Sequence, residues 1–402
     1  MQKRYAYLIG SCIIVCIVMV LVEHYSRRLR IPTAPPIRQA HLSPTHITPT
    51  SPVSQALSSP THIPPASPVS KSHSHKTLSP SASPLFNFMS LRNINEIMSK
   101  CTAECVNKGG AMDPFFVHFI KTDPKWEFYE YVAVRSAVKF IKPDVVFVVT
   151  MGKVEPSCWW NRTMALPLVK HVMIPAGSDL WVKKIRDKKV VERAHLCDFM
   201  KQMLLYEFGG IFMDTAIAVR SFDDLKNNQV TLATDFSCPS CVVNGLMVSQ
   251  RHSCFMCRFT QLGYQKFDGR WESNGMDSLR SLVMNELKKF KDVVILEHYN
   301  GFFPFSPEVS GWTDFALKNK TDLKVNTTGL YAVHLFHNLL TRPREKGMAT
   351  IKGRTIGNFS WLNTSKSYAG ELFRAVLPKH FTEEQFNTTA VCAPLIESVH
   401  EL

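Results

Sequence analysis

The pattern of apolar and polar positions is most regular between residues 193 and 219. Apolar residues recur at helical spacing within residues 193–208 and predict an amphipathic helix: Leu196, Phe199, Met203 and Leu204. The pair Gly209–Gly210 then predicts the end of that helix, because glycine accepts the left-handed conformation of a C-terminal cap. Residues 211–213 and 217–219 are short apolar runs that are typical of buried strands.

Asp214 lies between these two predicted strands. A carboxylate set among buried strands costs free energy unless something pairs with it. In one interpretation a ligand or a metal ion is that partner. In the other, the aspartate stands at a strand end and caps a turn, and position alone does not separate the two interpretations.

A similar pattern occurs earlier in the chain. Residues 115–120 form a buried-strand run, residues 127–140 have helical periodicity that Pro143 ends, and residues 144–150 are a second, β-branched strand. This order predicts a βαβ unit, and hence an α/β fold with a mostly parallel central sheet flanked by helices. Ligands bind such sheets at the carboxyl ends of the strands, where Asp214 is expected.

The N-terminal part predicts a membrane anchor and a spacer. Residues 5–22 carry no charge and are long enough to span a thin bilayer, so they are interpreted as an uncleaved transmembrane signal anchor after a cytosolic tail of residues 1–4. Residues 23–85, rich in Pro, Ser and Thr, predict a disordered stem, and residues 86–402 a luminal domain. Six sequons favour that orientation and are the expected glycosylation sites: Asn161, Asn319, Asn326, Asn358, Asn363 and Asn387.

Charge adds little to this interpretation. The formal net charge of +14 and the pI near 9.3 would suit nucleic acid, an anionic membrane or an acidic substrate. The basic residues are scattered along the sequence, without a Lys/Arg block interleaved with aromatics, which argues against a nucleic-acid partner. Solvation of the surface is the interpretation we adopt for most of the charge.

The cysteines allow two interpretations. Cys238-x2-Cys241 and Cys254-x2-Cys257 are close to a zinc-ribbon pattern. In the oxidising compartment that the anchor and sequons predict, disulfides are favoured over zinc. The nine cysteines beyond the anchor are an odd number, so one thiol is free or pairs with another chain, and a disulfide-linked or non-covalent dimer is a further expectation.

Residues 195–215, with the run Gly-Gly-Ile-Phe-Met-Asp-Thr, resemble the DxD-containing sugar-binding region of glycosyltransferase family 32. Residues 115–119, 134–138, 242–246 and 329–337 resemble other segments of that family. The family includes the α-1,4-galactosyl- and α-1,4-N-acetylglucosaminyltransferases of the Golgi. The resemblance implies a GT-A-like fold, a UDP-sugar donor, a divalent cation (Mn²⁺ or Mg²⁺), α-retaining transfer to a glycan or glycolipid acceptor, and a type II Golgi membrane protein.

The resemblance also assigns residues. Asp214 and Asp198 are the expected catalytic residues, and Asp214 and His334 the expected metal ligands. The expected donor-binding residues are Phe115, His118, Asp198, Lys201, Gly209, Gly210, Asn244, Asp214 and His334, and the expected acceptor-binding residues are Trp271 and Gly275. The chemistry needs such groups, because the departing diphosphate carries negative charge that a carboxylate-bound cation stabilises.

Two departures from the family pattern leave the reaction open. Ala216 replaces the second Asp of the motif, and Lys201 replaces an Arg. One outcome is a cation site made from Asp214, His334 and water. A second is metal-independent transfer, for which the basic candidates are Lys121, Arg342, Arg344 and Lys346, although solvated loops explain these as well. The third is a catalytically silent luminal binding protein.

Overall fold

We describe residues 92–175, 177–214, 216–234, 242–270, 273–296, 318–319, 329–334 and 359–387 of a computed structural model. The helices are α1 (Ile94–Glu104), α2 (Phe128–Ser136), α3 (Cys158–Ala165), α4 (Arg193–Phe208), α5 (Cys254–Lys266), α6 (Met276–Glu286), α7 (Phe359–Thr364), α8 (Tyr368–Val376) and α9 (Glu383–Asn387). The strands are β1 (Phe116–Lys121), β2 (Val145–Met151), β3 (Val169–Ile174), β4 (Lys184–Ile185), β5 (Lys188–Lys189), β6 (Gly210–Met213), β7 (Ala216–Ala218), β8 (Val230–Thr234), β9 (Val242–Ser249), β10 (Val293–Leu296) and β11 (Ala332–His334).

Seven strands form the central sheet in the order β10-β8-β9-β6-β1-β2-β3. Strands β1 and β6, β1 and β2, β2 and β3, and β8 and β10 pair in parallel, and only β9 runs antiparallel to its neighbours. The predicted α/β architecture with a mostly parallel, helix-flanked sheet is confirmed. Small antiparallel pairs, β7 with β11 and β4 with β5, lie outside this sheet.

The predicted βαβ unit is present. Helix α2 continues through a π-helical segment, Ala137–Ile141, and ends at Lys142, whose φ of 50° takes the chain out of the helix before Pro143. Successive residues of β2 face opposite sides of the sheet: Val146 and Val148 pack in one core, and Phe147 and Val149 in the other. Burial on both faces explains why these strands are continuous apolar runs.

Helix α4 and its double glycine form as predicted. The helix ends at Gly209, which has φ 68°, and Gly210 follows with φ 92°. A Cβ atom added at Gly210 would lie 2.4 Å from the carbonyl oxygen of Phe116 on β1. Glycine is therefore needed both for the left-handed backbone and for the close approach of β6 to β1.

The cysteines favour the disulfide interpretation. Cys101 bonds to Cys257 and Cys105 bonds to Cys254, and the two bonds join α1 to α5. Cys254 and Cys257 are therefore not zinc ligands, and no group of three or more His, Cys, Asp or Glu side chains within the described ranges could hold a metal ion. Cys158 is also disulfide-bonded, whereas Cys197 is free. Cys238 and Cys241 lie outside the described residues, and the dimer stays a prediction.

The predicted localisation is corrected. Across the described part of the chain, no helix has the length and apolar character needed to cross a membrane. This finding contradicts the expectation of a single-pass type II Golgi membrane protein with a luminal domain, which we withdraw. The segments on which that expectation depended, residues 5–22 and 23–85, lie outside the described residues.

Candidate functional site

Asp214 directly follows β6, at its carboxyl end. Its backbone N–H donates to the carbonyl oxygen of Gly245 on β9, 2.7 Å away, which closes the end of the β6–β9 pair. The carboxylate is 57% exposed, and its Oδ2 atom lies 3.5 Å from Nε2 of His334. The aspartate therefore presents its carboxylate at the sheet edge where parallel α/β folds bind ligands.

His334 is brought to Asp214 by the pairing of β7 with β11. In this antiparallel pair, His334 lies directly opposite Ala216, two residues beyond Asp214. Directly opposite residues of an antiparallel pair are close neighbours, and Nε2 of His334 also lies 3.5 Å from Oδ2 of Asp214. Asp214, Ala216 and His334 therefore form one group, although they are far apart in sequence.

A second polar group lies on α4. Nζ of Lys201 donates to Oδ1 of Asp198 at 2.9 Å and to the backbone carbonyl of Asn244, also at 2.9 Å. Nδ2 of Asn244 donates to the same Oδ1 atom at 2.9 Å. Lys201 is 3% exposed and its Nζ lies 4.6 Å from the ring centroid of Phe212 on β6. The ion pair is thus buried and fixed, not the exposed pair that the i,i+3 spacing also allowed.

Gly275 completes this second group. A Cβ atom added there would lie 2.3 Å from Oδ2 of Asp198 and 2.6 Å from Nδ2 of Asn244. The backbone at the start of α6 therefore stands against the Asp198 carboxylate, with no room for a side chain. Trp271, the other expected acceptor residue, lies outside the described residues.

The two groups meet at the Asn244–Gly245 step of β9. Asn244 bonds to Asp198 and Lys201, and the next residue, Gly245, accepts the backbone hydrogen bond of Asp214. One stretch of strand therefore positions both carboxylates. The predicted residues that the structure gathers here are Asp198, Lys201, Asp214, Asn244, Gly275 and His334.

Four expected donor-binding residues lie away from Asp214, and their role in donor binding stays a prediction. Gly209 and Gly210 are at the amino end of β6, and Phe115 precedes the neighbouring β1, whereas Asp214 follows the carboxyl end, roughly 13 Å away at 3.3 Å per residue. His118 is fully buried in β1, and its Nε2 lies 2.8 Å from the carbonyl oxygen of Gly209. Burial lowers the pKa of His118 to about 4, so this imidazole is neutral at physiological pH.

Lys121 is at the carboxyl end of β1 but is engaged in ion pairs. Its Nζ lies 2.5 Å from Oε1 of Glu130 and 3.2 Å from Oδ2 of Asp123. The charge of this basic candidate is therefore balanced by Glu130 and Asp123 and not by a ligand in the site. The other three, Arg342, Arg344 and Lys346, lie outside the described residues.

Cys197 and Gly245 belong to the site although the residue pattern did not assign them. Cys197 precedes Asp198, and burial raises the pKa of its thiol to about 12, with the charge of Lys201 opposing the rise and those of Asp214 and Asp198 adding to it. The thiol is thus protonated at neutral pH. Gly245 has no property that sequence could reveal, because its role is a backbone hydrogen bond.

The expected glycosylation sites differ in their surroundings. Asn161 is within α3, and the Arg162 and Thr163 that complete its sequon are buried. Asn319 and Asn363 are exposed. Asn326 and Asn358 lie outside the described residues, as does the side chain of Asn387. Modification of these asparagines stays a prediction.

No family model matches the chain. The chain is 27% identical over 181 residues to glucan organizing enzyme 1 of Cryptococcus neoformans var. grubii serotype A, a match that covers 40% of this chain and 47% of that relative. The chain thus spans about half the length of the curated relative. Membership of glycosyltransferase family 32 is not established.

Solved structures similar to this chain include glycosyltransferases. The bifunctional glycosyltransferase WbbM matches 71% of this chain and 51% of its own, with 12% identity and a TM-score of 0.38. The galactosyltransferase LgtC, in complex with donor and acceptor sugar analogs, matches 65% of this chain and 95% of its own, with 12% identity and a TM-score of 0.36.

Proposed function

We propose that this protein is a glycosyltransferase that moves a hexose or N-acetylhexosamine from a UDP-sugar to a glycan or glycolipid acceptor. One observation carries the proposal: Asp214 and His334, 3.5 Å apart at the carboxyl end of β6, adjoin the buried network around Asp198. The resemblance of residues 195–215 to a sugar-transferring family supports the same reaction. The name of the glucan organizing enzyme is in keeping with a carbohydrate substrate.

The Asp198 network suits recognition of the transferred sugar. Oδ1 of Asp198 already accepts hydrogen bonds from Lys201 and Asn244. Oδ2, which faces Gly275, is left to accept from sugar hydroxyl groups. A side chain at Gly275 would displace that oxygen, because its Cβ atom would lie 2.3 Å away. Lys201 holds the carboxylate in one orientation, so that little ordering is required when the donor binds.

Asp214 and His334 are suited to the diphosphate end of the donor. A divalent cation such as Mn²⁺ or Mg²⁺ is commonly held by one or two protein ligands together with substrate phosphates and water. Asp214 and His334 are two such ligands, and Ala216 supplies no third. Such a cation would neutralise charge on the departing diphosphate. The α-retaining outcome is part of the proposal and rests on the sequence resemblance alone.

A specific observation favours one alternative, a catalytically silent protein that binds a nucleotide or a glycan. Ala216 is fully buried opposite His334, where a second carboxylate would complete a stronger cation site. Removal of a carboxylate from a hard-cation site weakens binding of the ion.

Calorimetry with UDP, with and without Mn²⁺, followed by a panel of UDP-sugars, separates the two functions. An enzyme should bind UDP more tightly with Mn²⁺ and hydrolyse at least one donor slowly without acceptor. Asp214→Asn should lower Mn²⁺-dependent UDP affinity about tenfold or more, as expected for loss of a charged ligand contact. Asp198→Asn should weaken binding of the sugar nucleotide but not of UDP.

The exposed Asp179, which takes part in none of these contacts, offers a control: Asp179→Asn should change neither affinity. UDP binding without turnover of any donor would support the silent protein. Absence of UDP binding in the folded protein, with and without Mn²⁺, would refute the transferase and a nucleotide-binding protein, and would leave only a silent protein that binds a glycan.

A further inference from the structure

The residues from 183 to 193 form an exposed basic surface that the function above does not use. They comprise the β4–β5 hairpin and its continuation to the start of α4, and we call them the basic hairpin. It contains six basic residues and two acidic ones, all exposed: Lys183, Lys184, Arg186, Lys188, Lys189, Arg193, Asp187 and Glu192. These six are among the 47 Lys and Arg residues of the chain, so a part of the positive charge is clustered here.

The positive charge of the hairpin is not neutralised by its surroundings. Lys184 lies directly opposite Lys189 in the antiparallel pair, and like charges in that arrangement destabilise it. None of the six basic side chains forms an ion pair within the part of the chain that the structure describes. A bound anion would relieve this repulsion, so the hairpin is complementary to negative charge.

The hairpin is firmly attached to the fold. Ile185 is fully buried, and Val182, just before the hairpin, is 6% exposed in the same core. Arg186 has a left-handed backbone with φ 55°, and its Nη1 donates to the carbonyl oxygen of Gln265 at 2.9 Å. The lysines are thus presented on a fixed backbone, which lowers the ordering cost of binding.

The basic hairpin is connected to the candidate site through α4. It leads into α4 at Arg193, and Asp198 follows five residues later, about 7.5 Å along the helix axis at 1.5 Å per residue. Its contact residue Gln265 is in the last turn of α5, and the connection after α5 leads to Gly275, which stands against Asp198. The hairpin is therefore joined to both of the helices, α4 and α5, that lead to the Asp198 carboxylate.

We propose that the basic hairpin binds an anionic glycan that carries carboxylate or sulfate groups, and that such a chain is the acceptor class. The acceptor role rests on the proposed function. Repeating negative charges match the row of lysines and Arg193. Val191, 74% exposed, is a single apolar side chain, whereas membrane surfaces are bound by apolar faces combined with charge. Trp181 packs against the core and its indole N–H donates to the Ile174 carbonyl, so it offers no stacking surface for bases.

The test measures binding of a heparin-derived octasaccharide to the purified protein by calorimetry at low and high salt. The variant Lys184→Ser/Lys188→Ser/Lys189→Ser keeps Ile185 and Arg186, so the hairpin stays attached. Loss of three exposed charge contacts should weaken binding about tenfold, and salt should weaken wild-type binding more than that of the variant. The control changes exposed lysines elsewhere: Lys108→Ser, Lys288→Ser and Lys379→Ser.

Each outcome decides the proposal. Selective weakening in the hairpin variant, with malto-octaose unbound or bound equally by both variants, supports it. Equal weakening in the control variant, no octasaccharide binding, or binding only to phosphatidylserine vesicles overturns it. UDP binding and UDP-sugar hydrolysis are measured on the same samples. If the glycan binds through the hairpin but the protein neither binds UDP nor hydrolyses a UDP-sugar, the anionic-glycan surface is supported and the proposed transferase is refuted.

Discussion

Ala216→Asp tests the geometry of the cation site most directly. The new carboxylate would lie opposite His334 and two residues from Asp214, where it could join both in binding an ion. Without metal it should destabilise the fold, because Ala216 is fully buried. Repulsion from Asp214, which is more than half exposed, adds about 1–2 kcal/mol, between the aqueous and protein-surface limits for a close pair of charges.

With a bound metal ion, the new carboxylate should contribute to the stability of the fold. An ion present at one hundred times its dissociation constant stabilises the folded state by about 2.7 kcal/mol. For a domain of this size that corresponds to a rise in Tm of roughly 5 °C. We therefore expect Ala216→Asp to melt below wild type in chelator and to gain about 5 °C on addition of Mn²⁺, with a smaller gain in wild type.

Thermal unfolding with and without Mn²⁺ and UDP is the assay. Ala216→Asn is the matched control, because it has nearly the same shape without the charge. The double variant Ala216→Asp/His334→Ala should lose part of the gain if His334 is a ligand. Equal Mn²⁺ responses of the Asp and Asn variants would refute the assignment of this loop.

Three further predictions concern the same fold. Gly275→Ala should lower UDP-sugar affinity about tenfold in calorimetry, because the added carbon would lie 2.3 Å from Asp198 Oδ2. Gly269→Ala meets nothing within 4 Å but strains a backbone with φ 86°, so it should lower stability and leave the affinity of the folded protein unchanged. Lys201→Met should destabilise the protein by about 2 kcal/mol in urea unfolding, because it leaves the Asp198 carboxylate without its buried cation, whereas Lys201→Arg should lose less. Burial lowers the folded-state pKa of His118 to about 4, below its unfolded value of 6.5, so the unfolded chain binds this proton first as pH falls. Stability should therefore drop between pH 6.5 and 4 by about 3 kcal/mol, and His118→Gln should remove that part of the pH dependence; identical profiles for both proteins would contradict it.

The fold was largely predictable, and the site only in part. Periodicity and the glycine pair correctly predict α4 and β6, because helix and strand impose different spacings on apolar residues. A run such as residues 115–120 predicts a strand but does not say which end faces a ligand. Phe115 and His118 were therefore placed in the donor site by resemblance, although they lie in the core or at the other end of the sheet.

The residue pattern did not predict which strands or cysteines that are far apart in sequence pair with each other. The approach of His334 to Asp214 depends on the pairing of β11 with β7 across more than one hundred residues, and only the family resemblance suggested it. The disulfide partners of Cys254 and Cys257 are Cys105, directly after α1, and Cys101 on α1, at an i,i+4 spacing that does not match the i,i+3 spacing of Cys254 and Cys257. Spacing within a motif therefore could not show connectivity.

The links from α1 to α5 have a consequence for a nicked chain. Asp198, Asp214 and Asn244 all lie in the stretch between Cys105 and Cys254, which those two bonds close into a loop. A protease that cuts once inside this loop would leave two fragments still covalently connected. On a gel the cleaved protein would migrate near its intact mass until a thiol reagent is added. Nicking of the exposed 183–193 segment would thus escape notice under non-reducing conditions, even where it abolishes binding.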